Sequence, residues 1–135
     1  MSSTRTAIVV DRELPKGLAA NAVAILSISL GAAEPGLPGP DIVDGDGRTH
    51  HGLFPGGLPI LGGDRARLAA LHDGARERGL RVVSLPAVAQ QTNSYATFTS
   101  TVAATPAADL EYVGVLVHGD DKAVRAVTGD LPLLR

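Results

Sequence analysis

The chain has 135 residues, of which 44% are apolar, and its net charge is −2 at pH 7. A chain of this length forms one domain, here residues 1–135, and buries about two thirds of its unfolded surface. The slightly acidic balance gives no basic footprint for nucleic acid, and the lack of cysteine excludes disulfides, thiolate metal ligands and a cysteine nucleophile. The opening residues lack the apolar stretch of a signal peptide, so we expect a cytoplasmic protein.

The first predicted elements are a short strand and a long apolar helix. The apolar run Ala7–Val10 predicts the strand, and the stretch Gly17–Ala33, which contains no charged residue, predicts the helix. A helix that is apolar on nearly every side is typical of a buried position. A membrane span is not expected, because the run is short for a bilayer and contains Ala, Ser, Asn and Gly.

A glycine- and proline-rich segment follows, over residues 34–63. Repeated Gly and Pro prevent a long regular element, and a long irregular excursion inside a compact domain is often functional. Within it, Leu58–Leu61 predicts a short edge strand, since proline is tolerated only at an edge or at a strand start.

The second half of the chain alternates helices and strands. Asp64 is the expected N-cap of a helix through Arg78, and Gly79 the expected C-terminal cap. The remaining predicted elements are a strand (Leu80–Leu85), a polar turn (residues 87–93), a helix (Tyr95–Ala104), a strand (Tyr112–Val117), a helix (Lys122–Thr128) and an apolar tail (Leu131–Leu134) that packs back on the domain. This alternation predicts a three-layer α/β domain.

The loop from Asp41 to His51 is the richest polar cluster of the sequence. Neighbouring Asp and His side chains are ligands for divalent metals, but the acidic spacing of a calcium loop is missing. Because His50 and His51 are adjacent, a strand would point them to opposite faces. We therefore predict a turn of exposed acids and no metal site. His72 is expected on the solvent face of its helix.

Both ends of the chain resemble type II peptidyl-tRNA hydrolase. The similarity rests on Ile8-Val9-Val10 with Leu14-Pro15-Lys16-Gly17-Leu18-Ala19-Ala20-Asn21, and on Val115-Leu116-Val117 with Ala126-Val127-Thr128-Gly129-Asp130-Leu131-Pro132-Leu133. Nearly the whole chain also resembles an uncharacterised bacterial family with this fold, through Asp11-Arg12-Glu13-Leu14, Val43-Asp44-Gly45-Asp46-Gly47-Arg48 and the ending Thr128–Arg135. The resemblance implies an α/β/α sandwich with a mixed sheet of about four strands, and it makes a homodimer plausible.

The hydrolase chemistry does not carry over to this sequence. The enzyme's helix opening Gly-Lys-Ile-Ala-Ala-Gln places its lysine on Gly17 and its glutamine on Asn21, and its histidine falls on Ala24. Its Asp-Ala-Gly-Arg-Thr-Gln segment falls near Val88–Asn93 and keeps Thr92 but not the aspartate. Without these charged groups the chain lacks the means to activate water or stabilise an oxyanion in that way. Peptidyl-tRNA hydrolysis is therefore not expected.

Three hypotheses about function remain open. The first is a small-molecule binder whose inherited cleft is lined by Lys16, Gly17, Asn21, Gln91, Thr92 and Asn93, which offer neutral donors and acceptors beside one cation. The second is a hydrolase with a rebuilt catalytic set, for which the candidates are Asp11, Lys16 and His118. Convergence of those three side chains would favour the enzyme, and a wide neutral pocket without a charged pair would favour the binder. The third is an interaction module, for which an exposed alanine-rich helix face and self-association would be the signs. No cofactor, nucleic acid or membrane is expected as a partner.

Overall fold

The computed structural model describes residues 3–135 of the chain. The strands are β1 (Thr4–Asp11), β2 (Ile42–Val43), β3 (Thr49–His50), β4 (Ile60–Gly63), β5 (Arg81–Pro86) and β6 (Tyr112–Asp120). The helices are α1 (Lys16–Ala33), α2 (Arg65–Glu77), α3 (Tyr95–Ala103) and α4 (Asp121–Thr128), with 3₁₀ turns at Ala87–Gln90 and Ala107–Asp109.

Four strands form one mixed sheet in the order β4-β1-β6-β5. β1 is parallel to β4 and antiparallel to β6, and β5 is antiparallel to β6. Alternate β1 side chains point to opposite faces, as the pleat requires. Ile8 and Val10 pack with α1, and Ala7 and Val9 pack with α2 and α4. The predicted three layers and mixed four-stranded sheet are thus confirmed.

The contact between α1 and the sheet is close because β6 has a glycine beneath the helix. A Cβ built on Gly114 would lie 3.0 Å from Leu26 Cδ1 and 3.5 Å from Ala22 Cβ. Leu26 is fully buried. Gly114 therefore provides the space into which the Leu26 side chain packs.

The prediction that α1 is buried all round is wrong. Its buried residues are Ala19, Ala22, Leu26 and Leu30, which lie on one face. On other faces Ile28 is 73% exposed, Leu18 40% and Ile25 39%. The physical reason is that α1 is an outer layer, so the sheet covers only one of its faces. By length and mean hydropathy (1.4) the helix would also be able to cross a membrane, a criterion that core helices meet as well.

The glycine-rich segment contains a hairpin that the sequence did not predict. β2 and β3 pair through Ile42↔His50 and Val43↔Thr49. Gly47 has φ +80° in the turn between them, which favours glycine. The predicted edge strand is confirmed at β4, two residues later than expected, with Pro59 just before it accepting a hydrogen bond from Ile8 N.

The predicted caps of α2 and the predicted docking of the C-terminal tail are confirmed. The Asp64 carboxylate accepts a hydrogen bond from Arg67 N at 2.7 Å, and Gly79 follows α2 with φ +72°. The tail packs back on β4 through the Leu61↔Leu133 bridge. The prediction for His72 is wrong, because its ring stacks on Tyr112 at 4.6 Å and its side chain is only 12% exposed.

Candidate ligand-binding site

A groove of about 520 Å³ lies between the start of α1 and the C-terminal tail. Below it is called the basic groove. Its lining residues come from the turn after β1, from the first half of α1 and from the tail: Arg12, Leu14, Lys16, Ala19, Ala20, Val23, Ala24, Leu134 and Arg135. The small alanines on α1 leave the space that the groove occupies.

The walls of the basic groove are held by backbone hydrogen bonds. Leu134 N donates to Ile60 O at 2.9 Å, and Gly62 N donates to Pro132 O at 2.9 Å. These bonds fix the tail along β4 and bring Arg135 beside α1. On the opposite wall, Pro15 precedes α1 and no side chain caps its first turn, which contains no acidic residue. The positive end of the helix dipole therefore adds to the charge of Lys16.

The groove combines positive charge with an apolar floor. Arg12, Lys16 and Arg135 are its charged side chains, and no acidic side chain lines it. Arg12 Nε lies 3.9 Å from Glu13 Oε1, but both side chains are more than half exposed, so the pair is weak. Lys16 makes no ion pair with any residue in the range 3–135. Such a groove can hold an anion that carries an apolar group.

Four of the six predicted ligand-binding residues line cavities, and these cavities are three different ones. Lys16 lines the basic groove, and Gly17 follows it on α1 with nothing within 4 Å of a built Cβ. Thr92 and Asn93 line a cavity of about 230 Å³ beside Ile25 of α1. Gln91 lines a third, of about 200 Å³, near Glu111.

Asn21 takes part in a contact within the chain. Its Oδ1 accepts a hydrogen bond of 3.2 Å from Gln90 Nε2, which also donates to Leu18 O at 2.9 Å. This bond ties the 3₁₀ turn that ends at Gln90 to α1. Asn21 lines none of the cavities described above.

The three candidate catalytic side chains do not meet. Asp11 accepts hydrogen bonds from Arg65 Nε and from Glu13 N, each at 2.9 Å. His118 Nδ1 lies 2.8 Å from Thr6 Oγ1, toward the other end of β1. Because Thr6 and Asp11 are five residues apart on one strand, about 16 Å separates them. The structure therefore shows no catalytic set built from Asp11, Lys16 and His118.

Arg65 is the ion-pair partner of Asp11, and it also bonds a second carboxylate. Arg65 Nη1 donates to Glu111 Oε2 at 2.8 Å. The hydrogen bonds to Asp11 and Glu111 raise the pKa of the Arg65 guanidinium. The Asp11 side chain is only 6% exposed, so this ion pair compensates its burial.

The polar loop forms an internally bonded turn. Asp44 Oδ2 contacts His50 Nε2 at 2.8 Å and accepts from Arg48 Nε at 3.1 Å, while Asp44 Oδ1 accepts from Asp46 N and Arg48 N. The bond with His50, followed by the backbone bonds, lowers the pKa of Asp44. Among residues 3–135, no three His, Asp or Glu side chains are placed to hold one metal ion.

Two of the three groove cations were not predicted as site residues. Arg12 and Arg135 drew notice in the sequence only within stretches that resemble the uncharacterised family. The signal for Arg135 was present, since the apolar tail predicted docking, but the sequence does not show that the tail ends beside α1.

Comparisons with known proteins agree with the fold. A solved structure of a protein of unknown function from Agrobacterium tumefaciens strain C58 superposes with a TM-score of 0.90, at 20% identity and with 98% of each chain covered. At that identity the likeness concerns the fold alone. A search of curated proteins gives no match. The profile described as "Protein of unknown function (DUF2000)" matches residues 4–135. The chain therefore belongs to the DUF2000 family.

Proposed function

We propose that this protein binds a small amphipathic anion in the basic groove. The observation that carries the proposal is the set of three basic side chains, Arg12, Lys16 and Arg135, around an apolar floor without an acidic side chain. A carboxylate or phosphate group would contact the cations, and an attached alkyl or ring group would lie along Leu14, Val23 and Leu134. The groove volume of about 520 Å³ is within the range of small-molecule sites.

Two contributions set the expected affinity. Each charge-assisted hydrogen bond contributes about 1.5–3 kcal/mol. About 100 Å² of buried apolar ligand surface adds about 2.5 kcal/mol. After the cost of immobilising the ligand, we expect a Kd on the order of 10–1000 µM.

The test measures the dissociation constant of octyl phosphate, used as the probe, by isothermal titration calorimetry. Inorganic phosphate keeps only the anionic group of the probe, and octanol keeps only its alkyl chain. Both are expected to bind at least about tenfold more weakly than octyl phosphate. Lys16→Ala and Arg12→Ala should each weaken octyl phosphate binding about tenfold, which corresponds to about 1.4 kcal/mol. The matched control is Lys122→Ala, because Lys122 is the chain's other lysine and lies on α4, outside the groove.

Three results would overturn the proposal. The first is octyl phosphate binding that stays unchanged in Lys16→Ala and Arg12→Ala. The second is equal binding of octanol, which would mean that the cations do not select the ligand. Loss of binding in Lys122→Ala to the same extent would point to a diffuse charge effect and would also refute a site in the groove.

We further propose that the fold is of the type II peptidyl-tRNA hydrolase kind, supported by the phrases around Ile8–Asn21 and Val115–Leu133. The hydrolase activity itself is not proposed, because the positions of the enzyme's lysine and histidine hold Gly17 and Ala24. A second candidate function, an interaction module, is favoured by the exposed apolar side chains Leu18, Ile25 and Ile28 on α1.

A further inference from the structure

A second cavity lies on the face of the sheet that α1 does not cover. It has a volume of about 420 Å³ and is bounded by α2, by the 3₁₀ turn at Ala107–Asp109 and by the start of β6. The α2 residues that line it are Ala69, His72, Asp73 and Arg76. Their spacing of three and four positions places them along one side of the helix. This cavity is called the α2 pocket below.

The floor of the α2 pocket is a buried tyrosine whose hydroxyl has no partner in the chain. Tyr112 is only 6% exposed, and its ring stacks on the ring of His72 with 4.6 Å between the centroids. No group in residues 3–135 hydrogen-bonds the Tyr112 hydroxyl. Within that range Arg5 Nε is the one polar side-chain atom that is both sealed from solvent and unpaired, so the Tyr112 hydroxyl opens into the pocket. Because a buried tyrosine hydroxyl usually has a hydrogen-bond partner, this one is available to a ligand.

Two opposite charges lie at the rim of the α2 pocket and do not pair with each other. Asp73 and Arg76 are three positions apart on α2, a spacing at which opposite charges often pair. Within residues 3–135, however, Arg76 forms no ion pair, and the partner of Asp73 is His72, whose Nδ1 lies 3.1 Å from Asp73 Oδ1. Burial and the charge of Asp73 raise the pKa of Tyr112, and Arg76 lowers it, so both charges act on the hydroxyl. A ligand in the pocket would therefore meet a cation, an anion and a hydroxyl together.

A ligand that satisfies these three groups carries both charges itself. A simple anion would pair with Arg76 but be repelled by Asp73, and a simple cation would do the reverse. A zwitterion with an ammonium and a carboxylate group on one carbon avoids both conflicts, because side chains three positions apart on a helix are about 5–6 Å apart at Cβ. Its carboxylate would accept hydrogen bonds from Arg76 and the Tyr112 hydroxyl, and its ammonium group would donate to Asp73. An apolar substituent would contact the remaining walls, Ala108 and Leu110 among them.

We infer that the α2 pocket binds a free α-amino acid with an uncharged, apolar side chain. The inference is independent of the basic groove, since the two cavities share no lining residue. The volume of about 420 Å³ is within the range of small-molecule sites and leaves room for an aromatic side chain. Phenylalanine is therefore the probe.

The test follows the amide proton–nitrogen correlation spectrum of the isotope-labelled chain during titration with phenylalanine up to about 10 mM. We expect shifts at the amides of Ala107, Ala108 and Leu110, with a Kd on the order of 0.1–1 mM. 3-Phenylpropionate lacks the ammonium group and phenethylamine lacks the carboxylate, so each should bind there at least about tenfold more weakly than phenylalanine. Because 3-phenylpropionate is itself an amphipathic anion that suits the basic groove, only the shifts at the α2 pocket are counted.

Three substitutions assign the contacts of the probe. Asp73→Asn should weaken phenylalanine binding about tenfold without weakening that of 3-phenylpropionate, which has no ammonium group. Arg76→Gln should weaken phenylalanine binding about tenfold without weakening that of phenethylamine, which has no carboxylate. Tyr112→Phe removes only the hydroxyl and should weaken phenylalanine binding roughly three- to tenfold. The matched controls, Glu77→Gln and Arg78→Gln, remove the same charges at the end of α2, outside the pocket, and should leave phenylalanine binding unchanged.

Urea unfolding tests the Tyr112 hydroxyl independently. Because no group in residues 3–135 bonds it, Tyr112→Phe should leave the urea midpoint equal to that of the native chain or raise it. A clearly lower midpoint would mean that the hydroxyl is bonded inside the chain, and it would overturn the inference. The inference also fails if phenylalanine causes no shifts at residues 107–110, or if its two single-charge analogues bind there equally well. Equal losses of binding in Glu77→Gln and Arg78→Gln would assign the effect to diffuse charge and refute the site as well.

Discussion

The contact between Leu26 and Gly114 predicts a strong and measurable coupling between α1 and β6. Gly114→Ala adds a methyl group 3.0 Å from Leu26 Cδ1, and such overpacking costs about 1–3 kcal/mol of the free energy of unfolding. Leu26→Ala removes a fully buried side chain and costs about 2–5 kcal/mol. In the double variant the new methyl group enters the space that Leu26 vacates. We therefore expect the double variant to lose less stability than the sum of the single variants, by about 0.5–3 kcal/mol.

Urea unfolding followed by far-UV circular dichroism gives the four free energies that this cycle needs. The matched control is Gly74→Ala on α2, where a built Cβ meets nothing within 4 Å. Because glycine is unfavourable inside a helix, this substitution should stabilise the chain by about 0.5–1 kcal/mol. Strict additivity of Gly114→Ala and Leu26→Ala would refute the close contact. A stabilising Gly114→Ala would refute the tight packing itself.

Two further predictions concern buried polar groups. Arg65→Met leaves the Asp11 carboxylate without its ion-pair partner and should cost about 1–3 kcal/mol in urea unfolding. Octyl phosphate binding should stay unchanged, since Arg65 does not line the basic groove, and a loss of binding would contradict this separation. Burial, helped by the charge of Asp73, raises the pKa of Tyr112. In a Tyr95→Phe background, where Tyr112 is the last tyrosine, ultraviolet absorbance should show its ionisation above the ordinary value of 10.0. Since the folded state keeps a proton that the unfolded state releases, the free energy of unfolding should fall as pH rises above about 10, and a flat profile there would contradict the raised pKa.

Features encoded over a few residues were predictable from the sequence. Asp64 caps α2 because its carboxylate reaches an amide three residues on, and Gly79 ends that helix because its φ is positive. The docking of the tail at Leu131–Leu134 was also predictable from its apolar composition: Leu131 and Leu134 pack against the core, although Leu133 stays 59% exposed. Each of these signals depends on local geometry or on composition alone.

Features that depend on distant partners were not predictable. The apolar composition of α1 does not reveal that only one layer lies against it, so Ile28 was expected inside. His72 was expected in solvent because the ring of Tyr112, which covers it, lies forty residues away. The two-residue strands of the hairpin are exposed, so they carry no apolar alternation that would reveal them.

The candidate binding site was likewise hard to predict, because its residues come together only through contacts between distant parts of the chain. Lys16 was identified from its place before a helix, but its neighbour Arg135 joins it only through the hydrogen bonds of the tail to β4. Gln91, Thr92 and Asn93 are consecutive in the sequence, yet they open into two cavities because the chain turns there. Residue proximity along the chain therefore did not translate into a shared cavity.

The pairing of β1 with β6 has a consequence for how the chain acquires its structure. β1 lies between β4 and β6, and the contact between Thr6 and His118 spans 112 residues of sequence. Closing so long a loop costs entropy before the contacts form, which slows folding. During synthesis, residues 4–11 must wait for residues 112–120 to leave the ribosome before the centre of the sheet can assemble. The N-terminal strand and its neighbour α1 are thus exposed on the nascent chain until then, and the apolar stretches of β1 and α1 are the parts that a chaperone would meet first.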